Sequence, residues 1–248
     1  MLNKLDLSKI LFLDIETVSI QSSYQDLSES FKALWNRKAQ LINRSVEPIT
    51  PEIAEELYWN KAGIFAEFGK IICISVGVLI IDKKTRKIDC RVKSFKSDVE
   101  KELLNDFCEM VVQYYNDPDI HTICGHNIKE FDIPYICRRL IVNQMPLPHI
   151  FNIPGRKPWE TQFLLDTMTL WKFGDYKHFT SLKLLTEILD IPSPKEDIDG
   201  SDVNKVYWED KDLDRIAAYC EKDVLAVVQL LFRFKGMPLL KSNQVRFI

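Results

Sequence analysis

Residues 10–16 read Ile-Leu-Phe-Leu-Asp-Ile-Glu, and this stretch indicates the class of fold. The run is apolar on both faces until Asp14, which is typical of a central strand covered on both sides. Asp14 and Glu16 stand at its end, where open α/β sheets place their ligand crevice. The stretch therefore predicts an α/β protein with a candidate site beside the first strand.

The rest of the chain alternates strand-like and helix-like patterns. Residues 71–81 and 90–95 predict a hairpin, because the charged turn at 82–87 separates them. The other expected elements are strands at 121–124 and 163–165, helices at 97–117, 181–189 and 211–234, and a helical pattern that follows Gly125 and ends near Asn143. Ser97 is the expected N-cap of the first of these helices, with Glu100 three residues later. The alternation predicts one α/β domain over residues 1–248.

The segment between the first two strands, residues 21–67, is mostly helical in pattern. It is too long for an ordinary connection between strands. We therefore expect a helical insertion that caps one rim of the sheet. Loops are expected at 145–158 and, in an acidic stretch, at 191–202.

Composition excludes several classes of protein. The 248 residues include 33 basic and 36 acidic side chains, and 46% are hydrophobic, as in an ordinary globular protein. The longest apolar stretch, residues 71–81, is far shorter than the roughly 20 residues of a membrane helix. No export signal is recognisable at the N-terminus, so a cytoplasmic location is expected. The six cysteines contain no Cys-x-x-Cys pair, which favours reduced core thiols.

Asp14 and Glu16 are two residues apart on the first strand, so their side chains point to one face. Two flexible carboxylates on one face can converge on a hard divalent cation, which prefers oxygen ligands. The alternative is a pair of acids at the strand end that reach into water. Taken alone, Asp-x-Glu favours this second interpretation, and its position beside the expected crevice strengthens the first.

A second group, Asn127, Phe131 and Asp132, follows the short strand at 121–124. Each member has a structural alternative. Asp132 suits the cap of a helix that holds Pro134 in its first turn, Asn127 suits loop hydrogen bonding, and Phe131 suits the core. This segment carries no functional conclusion by itself.

A third group lies in the last predicted helix, where Tyr219 and Asp223 are four residues apart and share a face. Beside them runs an apolar stripe. Their structural alternatives are a tyrosine at the edge of the core and a solvated aspartate.

Together, Asp-x-Glu, Asn-x3-Phe-Asp and Tyr-x3-Asp resemble, in order and spacing, the three motifs of the DEDDy branch of the DnaQ-like 3′-5′ exonucleases. The sister branch has His-x4-Asp, but position 218 is alanine here. Four further segments resemble the predicted 3′-5′ exonucleases related to the proofreading domain of family-B DNA polymerases: Phe68-Gly69-Lys70-Ile71, Thr180-Ser181-Leu182, Ile191-Pro192-Ser193-Pro194-Lys195 and Tyr219-Cys220-Glu221-Lys222-Asp223. The resemblance covers about residues 8–235.

The resemblance implies an RNase H-like (DnaQ-like exonuclease) mixed sheet flanked by helices. It also implies two divalent ions, Mg²⁺ or Mn²⁺, held by four carboxylates: Asp14, Glu16, Asp132 and Asp223. Asp14 would bridge both ions, and Tyr219 would position the attacking water.

The substrate implied by the resemblance is the 3′ end of single-stranded nucleic acid, DNA rather than RNA. Thr17, Asn127 and Phe131 are the expected substrate-binding residues. An RNA 3′-exonuclease and a non-catalytic binding module on the same fold remain alternatives. No polymerase domain is expected on this chain, so proofreading would require a partner polymerase, and a repair protein is an equally open partner.

Several other residues are of the types that bind a single strand, in which aromatic rings stack on bases and cations follow the phosphate backbone. They are Trp35, Trp59, Phe65, Arg156, Lys157 and Lys183. We interpret the aromatic residues as core of the inserted helices and the cations as solvated surface. Asp166 is interpreted as a hydrogen-bonding residue at a strand end.

Overall fold

The computed structural model describes residues 2–44, 47–175, 179–192 and 198–248. Its strands form one six-stranded sheet in the order β5-β4-β1-β2-β3-β6. The strands are β1 (Ile10–Ser19), β2 (Gly69–Ile81), β3 (Ile88–Lys96), β4 (Thr122–Gly125), β5 (Leu164–Asp166) and β6 (Val245–Phe247). β1 pairs antiparallel with β2 and parallel with β4, so the sheet is mixed, as predicted.

Helices flank this sheet. They are α1 (Glu29–Asn43), α2 (Pro51–Lys61), α3 (Glu100–Tyr114), α4 (Asp132–Val142), α5 (Thr167–Lys172), α6 (Leu182–Ile188), the single turn α7 (Val203–Lys205) and α8 (Leu213–Phe234). A π-helical turn, Val206–Asp210, links α7 to the loop before α8. Within the described ranges, no helix is both long and apolar enough to cross a membrane.

The strand β1 separates two apolar cores, because its side chains alternate between the faces of the sheet. Leu11 and Leu13 pack with residues of α3 and α4 on one face. Ile10 and Phe12 pack with α8 on the other. The even-numbered positions of β1 therefore face α8, and this alternation directs Asp14 and Glu16 towards that helix.

The inserted segment is helical, as predicted, and has a small core of its own. Trp35 is fully buried there, its ring lies against Tyr58, and its indole N–H donates to the Ala54 carbonyl at 2.8 Å. The interpretation of Trp35 as core is confirmed. After α2 a 3₁₀ turn, Ala62–Ile64, packs against β1 and leads into β2.

A buried ion pair joins the two helices of one face. The Arg139 guanidinium donates to both carboxylate oxygens of Glu100, at 2.8 and 2.6 Å, and to the Ala66 carbonyl at 2.8 Å. The backbone N–H of Ile71 and the side chain of Asn143 donate to the same carboxylate. Glu100 therefore connects α3, α4 and the beginning of β2.

Several local predictions were wrong. The prediction of Ser97 as N-cap fails, because its hydroxyl accepts from the nearby Val99 N–H while α3 begins at Glu100, whose carboxylate is committed to Arg139. The first strand is longer than predicted, because pairing with β2 continues to Ser19. The elements α5 and β6 were not predicted. Part of the expected 191–195 motif and of the 191–202 loop lies outside the described residues.

Candidate active site

The Asp-x-Glu pair lies inside β1, with the strand continuing for three residues beyond it. Asp14 is paired with Ser75 of β2 and Glu16 with Cys73, and the register shifts directly after Glu16. The Glu16 side chain is only 8% exposed. The alternative of two strand-end acids in water is therefore wrong for Glu16, and burial of this acid calls for a counter-charge.

Asp223 reaches the same place from α8. It lies beside the buried stripe that includes Cys220 and Val224, and it is half-buried. Its charge raises the pKa of both Asp14 and Glu16, so the three carboxylates interact electrostatically. Asp223 is thus part of the acidic cluster and is not a solvated residue of the helix surface.

Asp132 comes from the first turn of α4 and is 3% exposed. It is the first helical residue, and the preceding cap position, Phe131, makes no side-chain capping bond, so the capping interpretation was wrong. Hydrogen bonds with the backbone of Asp132 and of Ile15 lower the pKa of this carboxyl group, but burial outweighs them. Asp132 is thereby held against β1, beside Asp14.

The acid cluster consists of Asp14, Glu16, Asp132 and Asp223. Its carboxyl groups carry like charges and lie together in a site with little access to water. Burial raises the pKa of Asp14 and of Glu16 well above the ordinary range, and the neighbouring carboxylates raise it further. The pKa of Asp132 rises to about 7, again chiefly through burial. Such a set of oxygen ligands fits hard divalent cations, which would neutralise the carboxylates.

Cys220 lies next to the acid cluster, although the sequence indicated only a core thiol. Its Sγ lies 3.3 Å from Oδ2 of Asp14, and one ligand atom each from Asp14, Glu16 and Cys220 fall within 4.8 Å of one another. Burial raises the pKa of the Cys220 thiol, so the S–H group is present to donate to the Asp14 carboxylate. The sequence offered no signal for this contact, because Asp14 and Cys220 are 206 residues apart in the chain.

The loop before α4 is fixed by Asp166 at the end of β5. The Asp166 carboxylate accepts from the backbone N–H groups of Asn127 and Lys129, each at 3.2 Å, and from those of Met168 and Thr169 in α5. Asn127 adopts a positive φ of 63°, a conformation that asparagine tolerates. Its Oδ1 is buried without a hydrogen-bond partner among the described residues, so an acceptor remains available there.

Of the remaining predicted residues, Thr17 and Phe131 line one cavity together with Glu16. The Thr17 hydroxyl donates to the Gly63 carbonyl at 2.8 Å. Tyr219 is half-buried against the core formed around Val18 and Ile216.

The other candidate residues for binding a single strand differ in their location. Trp59 lines the same cavity, so its interpretation as core of the insertion was wrong. Phe65 packs on the insertion core, as predicted. Lys157 is exposed, as predicted, and lies over the ring of Trp159, whereas Arg156 is half-buried over the ring of Phe163.

A family model described as a predicted 3′-5′ exonuclease related to the exonuclease domain of PolB matches residues 65–240. The chain belongs to this exonuclease family. The match includes Asn127, Asp132, Tyr219 and Asp223, whereas Asp14 and Glu16 of β1 precede it. An exonuclease of the PolB-related type, as predicted from the motifs, is confirmed at the level of the family.

The whole fold is similar to a solved structure, the family B DNA polymerase from the hyperthermophilic archaeon Pyrobaculum calidifontis. The TM-score is 0.54 at 14% sequence identity, with 91% of this chain covered. Only 24% of the polymerase chain is covered, so this chain spans about a quarter of it. The predicted RNase H-like fold is confirmed. Comparison with curated protein sequences gave no match.

Proposed function

We propose that this protein is a two-metal-ion, DEDDy-type 3′-5′ exonuclease that hydrolyses the terminal phosphodiester bond of single-stranded DNA and releases nucleoside monophosphates. The observation that carries the proposal is the convergence of four carboxylates from β1, α4 and α8 on one buried place, with the pKa values of Asp14, Glu16 and Asp132 all raised. Structural acids are seldom gathered in this way, because buried like charges repel.

Phosphodiester hydrolysis requires a site that accepts a negatively charged phosphate, activates water and stabilises the leaving alkoxide. Two bound divalent ions such as Mg²⁺ or Mn²⁺ supply these functions in many nucleases. Their ligands here would be Asp14, Glu16, Asp132 and Asp223. Without ions, the four acids repel the substrate phosphate, so ion binding and substrate binding are coupled.

The other residues position the reactants. The Tyr219 hydroxyl, one helical turn before Asp223, orients the attacking water. Asn127 offers to the substrate or to a bound water its Oδ1, which has no hydrogen-bond partner within the described ranges. Phe131 contacts the terminal nucleotide. Thr17 contacts it through its backbone, because the Thr17 hydroxyl already donates its proton to the Gly63 carbonyl.

The test uses matched single-stranded DNA and RNA oligonucleotides, labelled at either the 5′ or the 3′ end, with Mg²⁺, Mn²⁺ or chelator. We expect 5′-labelled DNA to give a ladder of shortening products and 3′-labelled DNA to release a labelled mononucleotide at once, both only with metal. Faster cleavage of RNA would reassign the substrate, since discrimination depends on contacts to the 2′-hydroxyl. Binding without cleavage in either metal would favour a non-catalytic module.

The biological role extends further than the reaction. Proofreading with a partner polymerase, DNA repair and a cytoplasmic location stay predictions from the sequence. A direct test of the partner is co-purification of this chain with a polymerase.

A further inference from the structure

We propose that the helical insertion is a working part of the substrate site, and that Trp59 at the end of α2 is the surface on which the 3′-terminal base stacks. This inference rests on the proposed exonuclease function and assigns a role to residues 21–67. It concerns side chains outside the three motifs.

The inference starts from a cavity of about 350 Å³ that opens beside Glu16. This volume lies at the small end of the ~300–1,000 Å³ range of ligand pockets. Four parts of the chain contribute to its walls. The lining residues used here are Glu16 and Phe131 from the motif side, Trp59, Lys61 and Ile64 from the insertion, and Asn204 from α7.

The wall formed by the insertion is held in place at its 3₁₀ turn. The carbonyl oxygen of Gly63 accepts from both the Thr17 hydroxyl and the Tyr135 hydroxyl, each at 2.8 Å. A Cβ atom at Gly63 would lie 3.1 Å from the backbone of Val18, so glycine permits this close approach. The turn therefore rests directly on β1, immediately after the register shift that follows Glu16.

Asn204 fixes the other end of this wall. Its Nδ2 donates to the Trp59 carbonyl at 3.1 Å, while its Oδ1 accepts from the backbone N–H of Ser19 at 3.0 Å. The end of α2, the end of β1 and α7 are thus joined through one side chain. A pocket whose walls are already bonded together has little ordering entropy to lose when it binds a ligand.

The lining has the chemistry of a nucleotide site. Trp59 is half-buried, and Ile64 is 49% exposed although the residue is apolar. Lys61 adds one positive charge beside these apolar surfaces. Because Glu16 belongs to the acid cluster, a scissile phosphate held there places the nucleotide that it carries into the adjoining cavity. That nucleotide is the terminal one, and an aromatic wall would accept any of the bases.

The first experiment measures steady-state hydrolysis of single-stranded DNA by Trp59→Ala, with Trp59→Phe as the conservative variant. Base–aromatic stacking predicts a rise in KM of at least about 5-fold for Trp59→Ala with kcat nearly unchanged, since the ring acts equally on bound substrate and transition state. Trp59→Phe should restore most of the affinity. Trp159→Ala is the matched control, because Trp159 is 63% exposed and lies outside the lining of this cavity.

A second experiment needs no catalysis. Oligonucleotides that carry 4-thiothymidine at the 3′ end, or eight nucleotides before it, are cross-linked to the protein by light in Ca²⁺, and the modified peptide is identified by mass spectrometry. We expect the 3′-terminal probe alone to mark the peptide that contains residues 59–64.

The outcomes separate the inference from the proposed function. If wild-type protein cleaves DNA while Trp59→Ala keeps the wild-type KM and the terminal probe marks a different segment, the inference is overturned and the exonuclease stands. If the protein neither binds nor cleaves any oligonucleotide, both are overturned.

Discussion

At the scale of the residue, the surroundings of Asp132 determine its acidity and also what it costs to bury it. An aspartate in an unfolded chain has a pKa of about 4. In the folded protein the pKa of Asp132 is about 7, because the side chain is removed from water beside other acids. The charged site therefore destabilises the metal-free fold, and bound cations would remove this destabilisation.

A pH dependence of the free energy of unfolding follows. Between pH 4 and 7 the folded state holds a proton on Asp132 that the unfolded state has released, so metal-free protein should lose stability as pH rises, by about 1.4 kcal/mol per pH unit for each such group. Asp14 and Glu16 contribute with the same sign. Urea unfolding in chelator at pH 5, 6 and 7 measures the slope.

Asp132→Asn is the control for this prediction, since it removes one titrating group and should flatten the slope. Saturating Mn²⁺ should restore stability at pH 7, because a ligand that binds only the folded state stabilises it. A stability that rises with pH in chelator would contradict the assignment of these groups.

Tyr219 supports a second prediction at this scale. If its hydroxyl positions the attacking water, Tyr219→Phe should lower kcat by about 10²-fold, the cost of a misplaced reactant, and leave KM within about twofold. Tyr114→Phe, an exposed tyrosine of α3, is the control and should behave as wild type. An equal rise in KM with unchanged kcat would instead assign Tyr219 to substrate binding.

The motif residues could be predicted from sequence because their spacing matches a known pattern, whereas Cys220 and Trp59 could not. The sulfur of Cys220 meets Asp14 only because α8 packs across β1, a contact between residues far apart in the chain. In the sequence, Trp59 and the buried Trp35 look alike, because both are tryptophans in helical patterns of the insertion. Which of the two faces the site depends on the packing of α1 against α2 and on the anchor at Gly63.

At the scale of the element, the loop between β4 and α4 depends on Asp166, which accepts four backbone hydrogen bonds. Asp166→Ala should free this loop and lower activity by about 10–100-fold, the usual effect of losing a group that orients metal ligands. Glu130→Ala, exposed in the same loop, should leave the rate unchanged. A rate for Asp166→Ala equal to that of Glu130→Ala would show that the loop is held by other contacts.

The Glu100–Arg139 pair supports a prediction about stability. Removing one partner leaves a buried charge uncompensated, so Arg139→Ala should lower the free energy of unfolding by about 3–5 kcal/mol. Arg138→Ala changes the exposed neighbour and should cost less than about 0.5 kcal/mol. Denaturant titration compares the two variants, and equal midpoints would contradict the structural role given to the pair.

Element boundaries show where sequence patterns lose their predictive power. The hairpin of β2 and β3 was predictable from two apolar runs and a charged turn. The extension of β1 to Ser19 was not, because Glu16 and Thr17 interrupt the apolar pattern and only pairing with β2 keeps them in the strand. Short elements such as α5 and β6 depend on contacts with α8 and β3 and carry too few residues for a periodic signal.

At the scale of the whole molecule, the order of the strands explains why distant motifs meet. β1 lies between its antiparallel partner β2 and its parallel partner β4, with α8 across one face. That arrangement brings Asp14, Asp132 and Asp223 together from segments that are 118 and 91 residues apart in the chain. The mixed sheet was predictable through the family resemblance. The docking of the insertion against the site was not, because it depends on single hydrogen bonds such as Thr17 to Gly63.

The most direct test of the central claim is the initial rate at which purified Asp223→Ala hydrolyses 5′-labelled single-stranded DNA in Mn²⁺, compared with Asp214→Ala. Asp214 lies on the same helix, is exposed and pairs with Lys96, so its loss tests for a general effect on α8. We predict a rate loss of at least about a hundredfold for Asp223→Ala, because a metal ligand is removed, and a wild-type rate for Asp214→Ala. Equal rates for the two variants would contradict a catalytic site built on the four carboxylates.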